Sequence, residues 1–235
     1  MPLLIAVVLV VAVMLLIGWL RDHKVLQRAR RLQQQAEALG YAYLEKGDAR
    51  LAQNAGRFLL FTQGREGSAA NLLRRATEAG TAPVAELFDY TFLVSFGRYD
   101  RAWQQSVVRL TDASLDLPPF SLVPEAVLDA MLEHARDPDL RERLIGTAGI
   151  RFRDHPQFAK QMSLQSPDRR STRALFSADL IAYLEDRPDL CLEAAGPNLL
   201  LYRFDTLLPP EDSPTFLDEA LTIHALISSP ATEVA

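Results

Sequence analysis

From Pro2 to Leu20 the chain carries no charged residue, and only Pro2 and Gly18 fall outside the apolar set. As a helix this run would span roughly 28 Å, close to the hydrocarbon thickness of a bilayer. Thirteen of its residues are Leu, Ile or Val. Each of these favours insertion by roughly 0.3–0.6 kcal/mol at mid-membrane. The pattern predicts one N-terminal transmembrane helix over residues 1–20. A cleaved signal peptide fits less well. The segment before the apolar run has no Lys or Arg, the run is long, and Gly18-Trp19-Leu20-Arg21 is a poor cleavage site.

Beyond Leu20 the periodicity changes. Val25, Ala29, Leu32, Ala36, Leu39 and Tyr43 recur at spacings of four and three, the a/d pattern of paired helices. A basic juxtamembrane helix is predicted over residues 21–43, leaning on the body or on the headgroups. The same spacing would serve a dimerising stalk, so a homodimer is the alternative, although no GxxxG motif reinforces it.

A globular region follows over residues 44–227. "RFLLFT", residues 57–62, reads as a short extended run ending in the turn-like "QGREGS". "SAANLLRRATEAGTA" suits either a helix or a hairpin arm. "ELFDYTFLVSF" is the clearest strand. Phe88, Tyr90, Phe92, Val94 and Phe96 alternate onto one face, with Asp89, Thr91 and Ser95 on the other. "AWQQSVVRLT" is its antiparallel partner across "GRYDR". Pro118, Pro119 and Pro124 argue against a central strand throughout "LPPFSLVPE", while Pro124 suits the first turn of a helix running through Leu128, Met131 and Leu132.

Farther on, "IRFRDHPQFAKQMSL" reads as two extended pieces around a turn at His155-Pro156. A helix capped by Ser171 is predicted to Asp186. "LCLEAAGPNLLLYRF" is a hairpin turning at Gly196-Pro197-Asn198. A last helix starts near Pro214, and residues 228–235 form a polar, disordered tail. The order of elements predicts an α+β domain with a mainly antiparallel sheet and helices on one face.

Charge then orients the chain. Arg21, Lys24, Arg28, Arg30 and Arg31 lie just past the apolar run, with only the α-amino group on the other side. The positive-inside rule places the body in the cytoplasm. The lone Cys191 is compatible, since it can form no intrachain disulfide. Residues 21–40 carry a net +3, which leaves −8 of the total −5 for the rest. A basic collar beside an acidic body suits anionic lipid headgroups, with Trp19, Arg21, Lys24, Arg28, Arg30 and Arg31 as the membrane-surface contacts. It argues against nucleic acid, which calls for a basic patch on the folded domain.

No catalytic signature emerges. His23, His134, His155 and His224 lack metal-ligand spacing, and there is no CxxC or HExxH. His134 near Asp137 and Asp139 reads as a solvated loop rather than a metal cluster. Asp154-His155-Pro156 reads as a turn. Cys191, between two leucines, reads as a buried inert thiol. No GxSxG, SxxK or phosphate-loop motif is present. Neither metal nor cofactor is expected, and no enzymatic activity.

"LFDYTF", "LPPFSLVPE", "IRFRDHPQF", "RALFS" and "NLLLYR", together with the apolar anchor and its basic exit, resemble a set of bacterial single-pass membrane proteins to which no activity is assigned. The resemblance spans roughly residues 57–227. It implies a bacterial membrane location and supplies no residue role. The function expected is that of a membrane-anchored, non-enzymatic module binding a protein partner. The alternative is a tethered domain for a small ligand or lipid, its pocket lined by the Phe88–Phe96 face.

Overall fold

A polar-free strand face must be covered on each side of a sheet, and this chain covers both. The computed structural model describes residues 2–47, 58–75, 83–128 and 149–229. Helix α1 (Pro2–Leu39) leads into β1 (Tyr41–Lys46), followed by a 3-10 turn (Leu60–Thr62) and β2 (Arg65–Arg75). Next come β3 (Val84–Ser95), β4 (Asp100–Thr111) and β5 (Leu117–Pro124). Helix α2 (Pro156–Gln161), β6 (Met162–Gln165), α3 (Arg169–Leu175) and α4 (Ala178–Glu185) follow. The chain then forms β7 (Leu190–Gly196), β8 (Asn198–Arg203), a second 3-10 turn (Pro210–Asp212) and α5 (Ser213–Ser228).

The eight strands form one sheet in the order β1-β2-β3-β4-β8-β7-β5-β6, and every pairing is antiparallel. The α+β architecture with a mainly antiparallel sheet is as the sequence predicts. Alternation splits the core into two layers. Leu73, Leu87, Leu110, Leu122, Leu192 and Leu201 face the helices and pack with Leu32 and Ala36 of α1, Leu180 and Leu184 of α4, and Phe216 and Ile223 of α5. On the other face Phe88, Tyr90, Phe92, Trp103, Leu200 and Tyr202 pack beneath Phe58 and Leu60.

The β3–β4 and β7–β8 hairpins form as expected. Gly196 takes φ 58° in the second turn, a conformation that costs a residue without Cβ little. Helix α5 buries Phe216, Leu217, Ala220, Ile223 and Ile227, the stripe read from the sequence.

Six expectations change or are resolved. The helix predicted to residue 43 stops at Leu39, where Gly40 takes φ 71° and turns the chain into edge strand β1. Tyr43 is therefore a strand residue. Instead of an extended run, Phe58–Thr62 ends in the 3-10 turn Leu60–Thr62, because a buried carboxylate gathers the backbone N–H groups of Leu59 and Leu60. The ambiguous "SAANLLRR" is strand β2.

Despite its prolines, β5 is an interior strand between β7 and β6. Pro118 and Pro119 sit where the β5–β7 register slips, and β6 pairs only from Ser121 onward, so neither of these two prolines has to donate; Pro124 lies at the strand end, opposite Met162. The single helix predicted from Ser171 to Asp186 is two. Asp168 caps α3 and Ser177 caps α4, and the backbone N–H of Ser171 donates to Asp168. Residues Pro156–Gln161 are helical, so only Met162–Gln165 of that stretch forms a strand. The chain is helical from Glu125 to Leu128. Met131, Leu132, His134, Asp137, Asp139 and the tail from residue 230 lie outside the described residues.

Among the described residues no helix is long and apolar enough to cross a membrane. The side chains of residues 2–6, 8, 10, 17 and 21 lie outside that description.

Candidate functional site: a docked helix and a sealed carboxylate

Helix α1 divides into two halves of opposite character. In its second half Leu32 and Ala36 are buried in the helical layer of the core. In the first half Val7, Leu9, Val11, Val13, Met14, Leu15, Leu16, Trp19 and Leu20 are all exposed, from 44% to 70%. At 100° per residue these positions spread over about 260° of the helix circumference. Val25 and Leu26 are exposed as well, so the paired-helix stripe continues into the body only from Leu32.

Arg28 stands where the two halves meet. Its Nε and Nη2 donate to Asp89 Oδ2 and Oδ1, each at 2.8 Å. Nη1 donates to the Leu208 carbonyl at 2.6 Å, and Nη2 also reaches Ser106 Oγ at 3.0 Å. Asp89 further accepts from Asn71 Nδ2 at 2.9 Å and from Ser106 Oγ at 2.9 Å. Tyr43 donates its hydroxyl to Asn71 Oδ1 at 2.8 Å. Asn71 sits at φ 53° beside a register slip in β2, a bulge that re-aims its side chain along the sheet face. One cluster thus ties α1, β1, β2, β3, β4 and the Leu208 loop.

The six predicted membrane-surface residues are not equivalent. Trp19 is exposed and stacks on His23 with ring centroids 5.3 Å apart. Lys24, Arg30 and Arg31 are exposed, while the Arg21 side chain lies outside the described residues. Arg28 departs from the expectation: its charge is spent on Asp89, so it holds the helix to the sheet rather than facing headgroups.

The opposite face holds the second cluster. Glu193 is 1% exposed, in a strand that is otherwise apolar. It accepts from the backbone N–H of Leu59 at 2.5 Å and Leu60 at 3.0 Å, and from the Tyr202 hydroxyl at 2.8 Å. Burial pushes its pKa up to about 7, against the pull of these three donors. The carboxylate therefore pins the Phe58–Thr62 segment over the aromatic face. Burial also raises the neighbouring Cys191 thiol and the Tyr202 phenol well above their ordinary values.

The Phe88–Phe96 face is filled rather than hollow. Phe61 meets Tyr90 edge-on at 4.9 Å, and Phe92 meets Trp103 at 5.5 Å. An open groove of about 620 Å³ lies on the other side, lined by Tyr183, Arg187, Arg203, Phe216 and Glu219 and reaching Leu208. Glu219 accepts from both arginines there, at 2.8 Å from Arg187 Nε and 3.0 Å from Arg203 Nη2. Among the described residues no group of His, Cys, Asp and Glu could hold a metal ion. His224 is held by Asp112 at 2.9 Å.

Sequence reading missed the roles of Asp89 and Glu193. The available signal was a single acid inside an apolar strand, "LFDYTF" and "LCLEAAG". A buried acid needs partners, and both of these have them.

No protein-family model and no curated protein matches the chain. Among solved structures, the fold is similar to the crystal structure of the mycobacterial trehalose monomycolate transport factor A, TtfA. The TM-score is 0.52 at 12% identity, covering 87% of this chain and 98% of that one. The likeness is one of fold.

Proposed function

We propose that the protein is a non-enzymatic accessory module, held at a bacterial inner membrane by the first half of α1 with its body in the cytoplasm, where it binds a protein partner. The observation that carries this reading is the exposure of apolar side chains around most of the circumference of α1 before Trp19. Such a surface calls for a non-aqueous environment. Lys24, Arg30 and Arg31 at the exit supply the charge asymmetry that orients it. The non-enzymatic part is supported by the commitment of the reactive groups: Glu193 is closed over by Leu59 and Leu60, and Cys191 is fully buried.

The fold likeness to a lipid transport factor favours a second reading, in which the module serves envelope lipid transport and takes a lipid or small ligand. The filled aromatic face directs such a ligand to the groove at Arg187, Arg203 and Phe216.

A C-terminal tag on the full chain, probed with protease in intact cells, spheroplasts and permeabilised cells, tests the placement. Protection until the inner membrane is breached is expected, with one protein co-purifying through stringent washes. Digestion in spheroplasts would overturn the orientation. Recovery of the full chain in the soluble fraction would overturn the anchor.

A further inference from the structure

The path of α1 over the sheet fixes which end of the body meets the bilayer. Gly40 turns α1 into β1, Tyr41 pairs with Arg75, and Arg74 pairs with Glu86. The C-terminal end of α1 is therefore at the Val84 end of β3, while Arg28 reaches Asp89 in the middle of that strand. The two lengths agree: Arg28 to Leu39 covers about 16 Å of helix, and Asp89 to Val84 about 16 Å of strand. Continuing the other way, α1 needs about 12 Å from Arg28 to Leu20. From Asp89 along β3 to Phe96, just past its end, is about 23 Å. At full extension the turn would lie about 11 Å past Leu20; the twist of the sheet and the slant of α1, which crosses from β1 towards Asp89 of β3, shorten that projection and bring the β3–β4 turn to the apolar–basic boundary of α1.

The turn is made for such a level. Gly97 takes φ 78°, and Phe96 stacks on Tyr99 with centroids 5.6 Å apart. Tyr99 is 66% exposed, a large ring in water with an amphipathic tip. Arg98 is exposed beside it. Nearby charges are paired off, Arg65 with Asp100 and Arg101 with Asp205. An aromatic pair with one spare guanidinium suits the headgroup layer, where Tyr and Trp accumulate.

We infer that the Phe96–Tyr99 turn is a second membrane contact, resting in the headgroup layer of the bilayer that holds α1, with Tyr99 and Arg98 touching lipid. The inference rests on the anchor reading above. The body is then held at two points and stands with its sheet upright on the membrane. The Asp116 end of the sheet faces away.

The test uses the full chain in phosphatidylcholine vesicles, with an environment-sensitive fluorophore on a cysteine placed at Leu15, Tyr99 or Asp116, and lipids spin-labelled near the headgroup as quencher. Buried Cys191 does not compete for label. Quenching at residue 99 should exceed that at residue 116 by about threefold, as expected for a fluorophore held within about 5–10 Å of the interface. Quenching should fall towards the residue-116 level when Arg98→Glu is added. Strong quenching at residue 15 with residue 99 no different from residue 116 would overturn the second contact while leaving the anchor intact. No quenching at residue 15 would overturn both.

Discussion

Arg28 and Asp89, 61 positions apart, meet as a two-pronged pair in which Nε and Nη2 each lie 2.8 Å from a different carboxylate oxygen. Their side chains are 19% and 10% exposed, so neither is well solvated. Truncating one partner of such a pair leaves a poorly hydrated charge. Arg28→Ala should cost about 3 kcal/mol in chemical denaturation of the full chain. Hydrogen exchange should then rise along residues 25–39 before the rest of the fold. Arg28→Lys should recover little, because an ammonium cannot serve both Asp89 oxygens and the Leu208 carbonyl together. Full stability of the lysine variant would show that charge alone, not the fork, docks the helix.

Glu193 makes stability depend on pH with a definite sign. Its folded pKa, about 7, lies above the ordinary 4.5, so the folded state holds the proton more tightly than the unfolded chain. The corresponding stability is fully present below about pH 4.5 and is lost as pH rises through about 7. Urea midpoints of the full chain should therefore fall between about pH 5 and pH 8. Asp100, Asp112 and Asp168 are held below the usual carboxylate range and act at lower pH. In Glu193→Gln the slope should flatten. An unchanged slope in that variant would assign the effect to other groups.

Cys191 should behave as packing rather than chemistry. It is fully buried, and burial raises its thiol pKa. The nucleophile is the thiolate. Iodoacetamide should label the native protein at least about 100-fold more slowly than the urea-unfolded chain, read by intact mass. Rapid native labelling would mean that the Cys191 layer opens on the timescale of the reaction.

The two aromatic ends of β3 and β4 should respond in opposite ways to truncation. Phe92 is fully buried between Tyr90 and Trp103, so Phe92→Ala should cost about 3–5 kcal/mol through the cavity it leaves. Tyr99 is mostly exposed, and Tyr99→Ala should stay within about 0.5 kcal/mol. A large loss at Tyr99 would place that ring in the fold rather than on its surface.

The elements legible in the sequence are those whose burial follows a local period. The alternation of Phe88, Tyr90 and Phe92, the stripe Phe216-Leu217-Ala220-Ile223, and the Gly196-Pro197 turn each state their own geometry within a few residues. Groups that depend on distant partners were not legible. Arg28 reads as one of five basic collar residues until Asp89 and Leu208 are brought to it. Pro118 and Pro119 read as strand breakers until the β5–β7 slip gives them positions that need no donor. Phe58–Thr62 reads as extended until Glu193 collects its N–H groups. Period and composition report what a residue demands of its surroundings; the tertiary structure decides which remote side chain meets that demand, because pairing energies act between groups whose separation along the chain carries no pattern.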